Sequence, residues 1–322
     1  MDNKTIYKKT FGFSLRRLLW DFFSLALFLV LGTLGFMLGE KLLEEGVIGL
    51  IIGMIIALIV VVILMRYVSY RLKAGQIAMM TRGITEGSLP DDVIAAGKQV
   101  VKEHFLTVAA YFAATNAIKG IFNQLSKVIS KVGSAIGGDT GGTVGDVISS
   151  AVQTLISYLC DCCLGWVFYR KNVKAGKATC EGAVLFFKHG KTLLKNVGRI
   201  FGIGLASLLL IGGVFSVIFY AILSASEQAL SGLYEEIASA AAESEGTIAE
   251  LLQNPATLPI VVAVILGILA WSFIHSTFIR PFVLTGVLRN YLESGMNDIP
   301  SEESFAELDS KSKKFAELHS SL

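Results

Sequence analysis

The chain has 322 residues, of which 53% are hydrophobic and 17% are charged. Soluble domains carry about 25% charged residues, so this composition excludes an ordinary soluble protein. The net charge of +2 says little by itself, and we expect membrane lipids rather than nucleic acid as the surroundings of the chain. The composition therefore predicts an all-α, polytopic integral membrane protein.

Four long runs lack Asp, Glu, Lys and Arg, and about 20 apolar residues are enough to cross a bilayer as a helix. The runs cover residues 22–39, 46–65, 200–226 and 251–279. A basic, amphipathic start precedes the first run, which reaches Glu40 without a cleavage-like site. We therefore predict a retained first helix rather than a signal peptide.

The first two predicted spans, at about 20–39 and 46–66, flank a short acidic turn. Each carries a G-x-x-x-G pattern, Gly35 to Gly39 in the first and Gly49 to Gly53 in the second. Small residues at this spacing let two helix backbones approach closely. The pattern predicts that the first two helices pack as a hairpin.

A third, shorter run at 105–118 contains Asn116, and the distribution of positive charge indicates whether it crosses the membrane. With spans at about 104–122, 147–169, 200–226 and 257–279 as well, the inner segments hold 24 of the 28 Lys and Arg residues. Removing the third crossing alone would place the basic stretch 170–199 outside, against the positive-inside rule. We therefore expect six helices in the cytoplasmic (plasma) membrane, with both termini cytoplasmic.

Glycines recur every four residues from 133 to 145. As a helix, this segment would present a smooth face able to line a pore, whereas its Gly-Gly pairs favour a flexible loop. Farther along, residues 227–252 contain six Glu and no Lys or Arg, which predicts an external loop. The tail, 293–322, contains the sequence FAEL twice. It either docks as an amphipathic helix or stays flexible, and it is a possible binding segment for a protein partner.

Two similar segments indicate an internal duplication. KAGQIA at 73–78 resembles KAGKAT at 174–179, and GKQVVK at 97–102 resembles GKTLLK at 190–195. Each pair lies between the end of one predicted span and the start of the next. The expected repeat is parallel, and the interface between its copies is the natural place for a path or a site.

No sequence motif of an enzyme is present, neither a phosphate-binding loop nor a hydrolase or metalloprotease signature. We therefore expect no catalytic residue, no enzyme activity and no cofactor. The four cysteines, Cys160, Cys162, Cys163 and Cys180, have no His at ligand spacing, and three lie in a predicted span. We expect them to pack between helices rather than hold a metal.

Asp161, in the fourth predicted span, is the polar residue that most favours a transport function. Ionisable groups inside spans are costly and usually face a cavity or a partner. If Asp161 faces His275 of the sixth span, the pair would exchange protons with the cytoplasm and couple transport to a gradient. The alternative is that Asp161 pairs with a loop lysine and His275 is interfacial. Asn116 is the third polar candidate.

Aromatic side chains near the inner ends of the fourth and sixth spans have two interpretations. Tyr158, Trp166 and Trp271 would form a box for a quaternary ammonium ion, or they would belong to the aromatic belt at the inner interface. Their positions close to Arg170 and Arg280 favour the belt.

The segment GKATC at Gly176–Cys180, with Ala183, Phe186 and Phe187, and the later KNVGRI at 195–200 resemble the C-terminal region of the choline transporter-like family. The resemblance implies transport of a small cationic solute such as choline or ethanolamine. Two other classes remain open. One is a non-transporting membrane scaffold or assembly factor, and the other is a channel formed by a homo-oligomer. A structure separates them by showing whether Asp161 faces a polar cavity or is sealed against a neighbour.

Overall fold

The structure is a computed structural model that describes residues 1–43, 46–104, 116–121, 143–226, 254 and 257–321, with scattered positions between 228 and 238. Every regular element in these residues is helical, so the all-α prediction is confirmed. The elements are α1 (Asn3–Leu43), α2 (Gly46–Thr85), α3 (Val93–His104), α4 (Thr143–Tyr169), α5 (Ala175–Ser207), a π-helical turn (Leu208–Gly212), α6 (Gly213–Ala225), α7 (Leu258–Ile274), a second π-helical turn (His275–Ile279), α8 (Arg280–Asn297), α9 (Glu302–Lys311) and α10 (Lys313–Ser320).

The chain divides into two compact units. The first contains Met1–Asn196 and Pro281–Leu322, and the second contains Val197–Arg280. In the described residues, the second unit is an apolar hairpin. The first unit has both an apolar hairpin and a packed helical body.

In the first unit, α1 and α2 pack as the predicted hairpin. A Cβ atom on Gly35 would lie 2.5 Å from the carbonyl oxygen of Gly49, and one on Gly53 would lie 2.6 Å from that of Leu31. Only residues without a side chain permit this approach, so the prediction from the G-x-x-x-G patterns is confirmed. Large apolar side chains on both helices between residues 19 and 63 are exposed. An apolar surface of this extent is suited to lipid.

The helical body consists of the start of α1, the end of α2, α3, the end of α4, the start of α5, and α8 to α10. Its central element is the apolar end of α4, Ile156–Tyr169, where Tyr158 and Trp166 are among the largest fully buried side chains. Helix α8 packs closely on α4, because a Cβ atom on Gly165 would lie 2.5 Å from Leu288. The body is therefore built around a helix that is enclosed by protein.

Four helices in the described residues are long and apolar enough to cross a membrane, and the chain is accordingly an integral membrane protein. They cover the first, second, fifth and sixth predicted spans, within Asn3–Leu42, Ile48–Thr85, Ile200–Ala225 and Leu258–Asn297.

The other two predicted spans are not shown. The third, 104–122, lies mostly outside the described residues. The fourth, 147–169, belongs to α4, and the side chains at its end, Ile156–Tyr169, are mostly buried. Moreover, neighbouring helices that carry charged side chains cover that part, so protein takes the place of lipid around it. Six spans therefore remain a prediction.

In the second unit, α6 and α7 form another apolar hairpin. A Cβ atom on Gly267 would lie 2.7 Å from the carbonyl oxygen of Gly212, so glycine again sets the distance between the helices. The indole Nε1 of Trp271 donates a hydrogen bond of 2.9 Å to Ser207 Oγ. Both arms of this hairpin contain a π-helical turn, which the sequence did not predict.

The C-terminal tail docks on the body rather than extending as a flexible segment. Phe305, Leu308 and Phe315 of α9 and α10 are buried. The Lys311 ammonium lies 4.2 Å from the centre of the Phe187 ring on α5. Of the two alternatives for the tail, the structure has the amphipathic one, as two short helices.

The two KAG segments occupy different structural positions, and the described residues do not show a repeat. Lys73 lies inside α2, whereas Lys174 precedes the start of α5. A Cβ atom on Gly97 would lie 2.9 Å from the carbonyl oxygen of Gly75, so these two glycines mark the crossing of α2 and α3. Their counterparts, Gly176 and Gly190, lie within α5 on either side of a kink at His189.

Candidate functional site

Asp161 is sealed against a neighbouring side chain inside the body. Its Oδ1 lies 2.6 Å from the ammonium Nζ of Lys73, and the Asp161 side chain is only 5% exposed. Lys73 belongs to the first KAG segment, on the part of α2 that continues beyond its apolar run. The structure therefore has the alternative arrangement, in which Asp161 pairs with a lysine.

His275 and Trp271 lie together in the second unit. Their rings are 5.1 Å apart between centres, and Trp271 also bonds to Ser207, as described above. His275 itself is half-buried at the start of the second π-helical turn. Asp161 belongs to the first unit. Proton exchange between Asp161 and His275 thus remains a prediction.

Asn116, the third polar candidate, is exposed in the short described helix at 116–121. On the same helix, Ile118 and Ile121 are fully buried. A Cβ atom on Gly120 would lie 2.9 Å from the side chain of Lys314 in α10, so this helix packs against the docked tail. Asn116 is not brought together with Asp161 or His275 by any described contact.

The aromatic candidates Tyr158 and Trp166 are interior residues of the body. Trp166 is 0% exposed, and a Cβ atom on Gly295 would lie 2.5 Å from its ring. This packing leaves no open face of the Trp166 ring for a cation. Trp271 lies in the other unit. A cation box that includes Trp271 therefore remains a prediction.

The group that sequence reasoning missed is a buried ion pair centred on Glu181, which is 2% exposed. Its carboxylate accepts hydrogen bonds of 2.8 Å and 3.0 Å from the Arg170 guanidinium, and one of 3.0 Å from Trp166 Nε1. The sequence does contain an indication of this pair, because Glu181 is the single acidic residue in the basic stretch 170–199. A lone carboxylate among many cations that lies next to an apolar segment is suited to a buried pair.

The cysteines are free thiols, and three of them are buried. Burial, with the carboxylates of Asp309 and Glu181 nearby, raises the pKa of Cys180 to about 12, so this thiol stays protonated at neutral pH. The Sγ of Cys163 donates to the carbonyl oxygen of Thr179 over 3.5 Å. Protonated, packed thiols are poor metal ligands. In the described part of the chain, no three His, Cys, Asp or Glu side chains are grouped to hold a metal ion.

Two cavities flank the loop Arg170–Lys174 between α4 and α5. The first, of about 370 Å³, lies against the end of α2 and is lined by Arg82, Glu86, Phe168 and Lys171 among others. The second, of about 400 Å³, lies between this loop and the docked tail. Arg170, Asn172 and Val173 line both cavities. Each is large enough for a small organic ligand.

In the first cavity, the positive charges of Arg82 and Lys171 are balanced by a carboxylate of the protein, that of Glu86. Glu86 accepts from Arg82 Nε over 2.8 Å and from Lys171 Nζ over 2.7 Å. These two cations, Lys171 first, lower the pKa of Glu86. The cationic groups that face this cavity are thus largely engaged with a carboxylate of the protein itself.

The second cavity contains two lysines that lack a close ion-pair partner in the part of the chain that the structure describes. It is lined by Arg170, Lys174, Lys177 and the Arg170-paired carboxylate of Glu181 on one side, and by Ile299, Pro300, Glu302 and Phe305 of the tail on the other. Lys177 Nζ is 4.0 Å from Glu302, and both side chains are more than half exposed. Lys174 has no ion-pair partner among the described residues. This cavity is therefore open to an anion from solution.

Comparisons with known proteins leave these observations to stand on their own. No protein family model matches the chain, no curated protein matches it, and no solved structure matches its fold.

Proposed function

We propose that the chain is a non-transporting membrane protein, in which two apolar hairpins anchor a helical binding body outside the bilayer. The observation that carries this proposal is the place of Asp161. Its carboxylate is paired with Lys73 and 5% exposed inside the packed body. A carboxylate that is buried and paired in this way supports a structural role over a place on a solute path. The two large cavities that flank the Arg170–Lys174 loop lie in the same body.

The course of α2 supports the location of the body outside the bilayer. Its apolar run ends at Arg66, and the helix continues to Thr85. At 1.5 Å per residue, Lys73 lies about 10 Å beyond Arg66, and Arg82 lies about 24 Å beyond it. The residues that contact Lys73 and Arg82 therefore belong to an aqueous part of the molecule.

The positive-inside rule fits four crossings as well as six. Removing the third and fourth predicted spans together keeps the basic stretch 170–199 on the side of both termini. All Lys and Arg residues except Lys41 then lie on that side. The rule therefore supports an even number of crossings and a body on the cytoplasmic side of the membrane.

Transport of a small cationic solute such as choline or ethanolamine is the second candidate. The resemblance of 176–200 to the choline transporter-like family implies it. The π-helical turns at Leu208–Gly212 and His275–Ile279 also favour it, because such turns occur frequently at functional sites. Six spans, a parallel repeat and proton coupling by Asp161 and His275 belong to this candidate. The predicted channel segment, 133–145, lies almost wholly outside the described residues.

A flux measurement separates the two candidates. We expect vesicles that contain the purified full chain to take up labelled choline or ethanolamine no faster than protein-free vesicles. The matched variant is Asp161→Asn, which removes the negative charge but keeps the shape of the side chain. Saturable uptake by the wild type that Asp161→Asn abolishes, or whose pH dependence it removes, would refute the proposal and establish the transporter.

A further inference from the structure

We propose that the cavity between the Arg170–Lys174 loop and the docked tail binds the phosphate group of a soluble small molecule. This inference rests on the proposed function only in placing the body outside the bilayer. The three cations that line the cavity, Arg170, Lys174 and Lys177, carry the argument.

Arg170 is held in place for this role. Its Nε and one of its amino groups, Nη2, bond to Glu181, whose carboxylate is almost completely buried and also accepts from Trp166. The other amino group, Nη1, has no hydrogen-bond partner among the residues the structure describes. A guanidinium fixed by a bidentate pair presents its remaining donors in a set direction, which lowers the entropy cost of binding an anion.

The lysines supply mobile charge beside this fixed donor. Lys174 is exposed and has no ion-pair partner in the described part of the chain, as stated above. Lys177 faces Glu302 at 4.0 Å, a long and solvent-exposed pair of the kind that contributes only about 0–1 kcal/mol. An incoming anion therefore displaces Glu302 at little cost.

The number of cations favours phosphate over a single carboxylate. Glu181 is saturated by three hydrogen bonds, so its charge is already compensated by Arg170. Two lysines then remain without strong partners in the same cavity, which suits a group that carries up to two negative charges. Ile299 and Phe305 of the tail add an apolar wall. The wall suits the organic part of a phosphorylated small molecule.

The position along α2 favours a soluble ligand over a lipid headgroup. Arg170 lines both this cavity and the one that contains Arg82. Arg82 lies about 24 Å along α2 from Arg66, where the apolar run ends, which is farther than a headgroup layer extends. The first cavity is not the anion site, because Glu86 already engages Arg82 and Lys171.

The test is titration of the full chain with inorganic phosphate at constant ionic strength, in nanodiscs of zwitterionic phosphatidylcholine, followed by calorimetry. The variant Lys174→Gln with Lys177→Gln removes two charges from the cavity. The matched control, Lys98→Gln with Lys102→Gln, removes two exposed charges from α3. We expect saturable binding to the wild type and the control, and a Kd at least about tenfold higher for the cavity variant, since charge-assisted hydrogen bonds are lost.

Three results would overturn the proposal: no saturable binding, an equal loss of affinity in both double variants, or equal competition by acetate. A further test uses nanodiscs that contain phosphatidylglycerol. If this lipid alone blocks the binding of phosphate, the site takes a lipid headgroup instead. Unchanged binding in those nanodiscs supports a soluble ligand. Failure of phosphate binding leaves the flux result untouched, so the two proposals fail independently.

Discussion

The two ends of α1 place their apolar side chains in opposite ways. In the body, Ile6 and Phe13 are fully buried, whereas in the hairpin Leu19 and Leu29 are each 60% exposed. At its start, one face of α1 is therefore enclosed by protein, although Phe11 and Leu15 there are 37% and 45% exposed. The difference shows that apolar content alone does not reveal where a segment lies. What distinguishes the two regions is whether other helices or lipid cover the side chains.

Polar groups show the same contrast. The body buries Asp161 and Glu181 with ionic partners, and it buries Gln76 with a hydrogen bond of 3.1 Å to Ser14. The hairpin instead has glycines at its closest contacts. The body is thus specified by paired polar groups and the hairpin by backbone proximity.

The largest expected effect concerns the side of the membrane on which residues 123–142 lie. With four crossings, a protease site inserted there is cleaved from the same side as one at the C-terminus. With six crossings it is cleaved from the opposite side. We expect the first result in sealed membrane vesicles of known orientation.

The control for this measurement is the same insertion at residues 243–246, which lie outside in both topologies. Cleavage of the 123–142 site together with that control, and not with the C-terminal site, would restore the six-span arrangement and make α4 a membrane helix.

Replacement of Glu181 by Ala tests whether buried ion pairs stabilise the body. It leaves the Trp166 indole N–H without an acceptor inside the body and Arg170 without its carboxylate. We expect a loss of about 3–5 kcal/mol in the free energy of unfolding, measured by denaturant titration in nanodiscs. Glu317→Gln, on the exposed side of α10, is the control. Equal stability of both variants would mean that the ion pair does not hold the body together.

Replacement of Gly49 by Ala tests whether close backbone packing stabilises the hairpin of α1 and α2. The added Cβ atom would overlap the carbonyl oxygen of Gly35 and lie 2.5 Å from Gly39 Cα. We expect a loss of about 1–3 kcal/mol, because the helices must separate. At Gly202 nothing lies within 4 Å of the new atom. Gly202→Ala should therefore be neutral or stabilising by up to about 1 kcal/mol. Similar melting temperatures for the two variants would contradict close packing of α1 and α2.

The smallest effect concerns the attachment of the tail and its dependence on pH. A hydrogen bond from Lys188, 2.8 Å long, lowers the pKa of Asp298 below its ordinary value of 3.8, and His189 lies on the same carboxylate. Because the pKa is lower in the folded state, the contribution of Asp298 is present above 3.8. It is lost as pH falls through the folded-state value.

We therefore expect faster amide exchange in α9 for Asp298→Asn than for the wild type at neutral pH. This difference should shrink as the solution is acidified below the ordinary range of Asp. A difference between the two proteins that does not change with pH would show that the carboxylate does not attach the tail.

Much of the hairpin was predictable from the sequence, because long apolar runs and G-x-x-x-G patterns depend only on local spacing. The body was not. The apolar end of α4 is as hydrophobic as a span, and only the helices packed around it show that protein covers it. Asp161 was singled out from the sequence, but its partner, Lys73, is far away in the sequence. Such pairings depend on tertiary contacts that no local pattern contains.

Helices α1 and α2 each run without interruption from the hairpin into the body, over 41 and 40 residues. Neither contains a proline. At 1.5 Å per residue, each is a rod of about 60 Å. A tilt of about 10° imposed on the membrane half would displace the far end of a rod by about 5 Å over the half of its length that lies in the body. Because both rods are continuous, a tilt of this size in the membrane half would also move the residues of α1 and α2 that lie near Asp161 and Gln76.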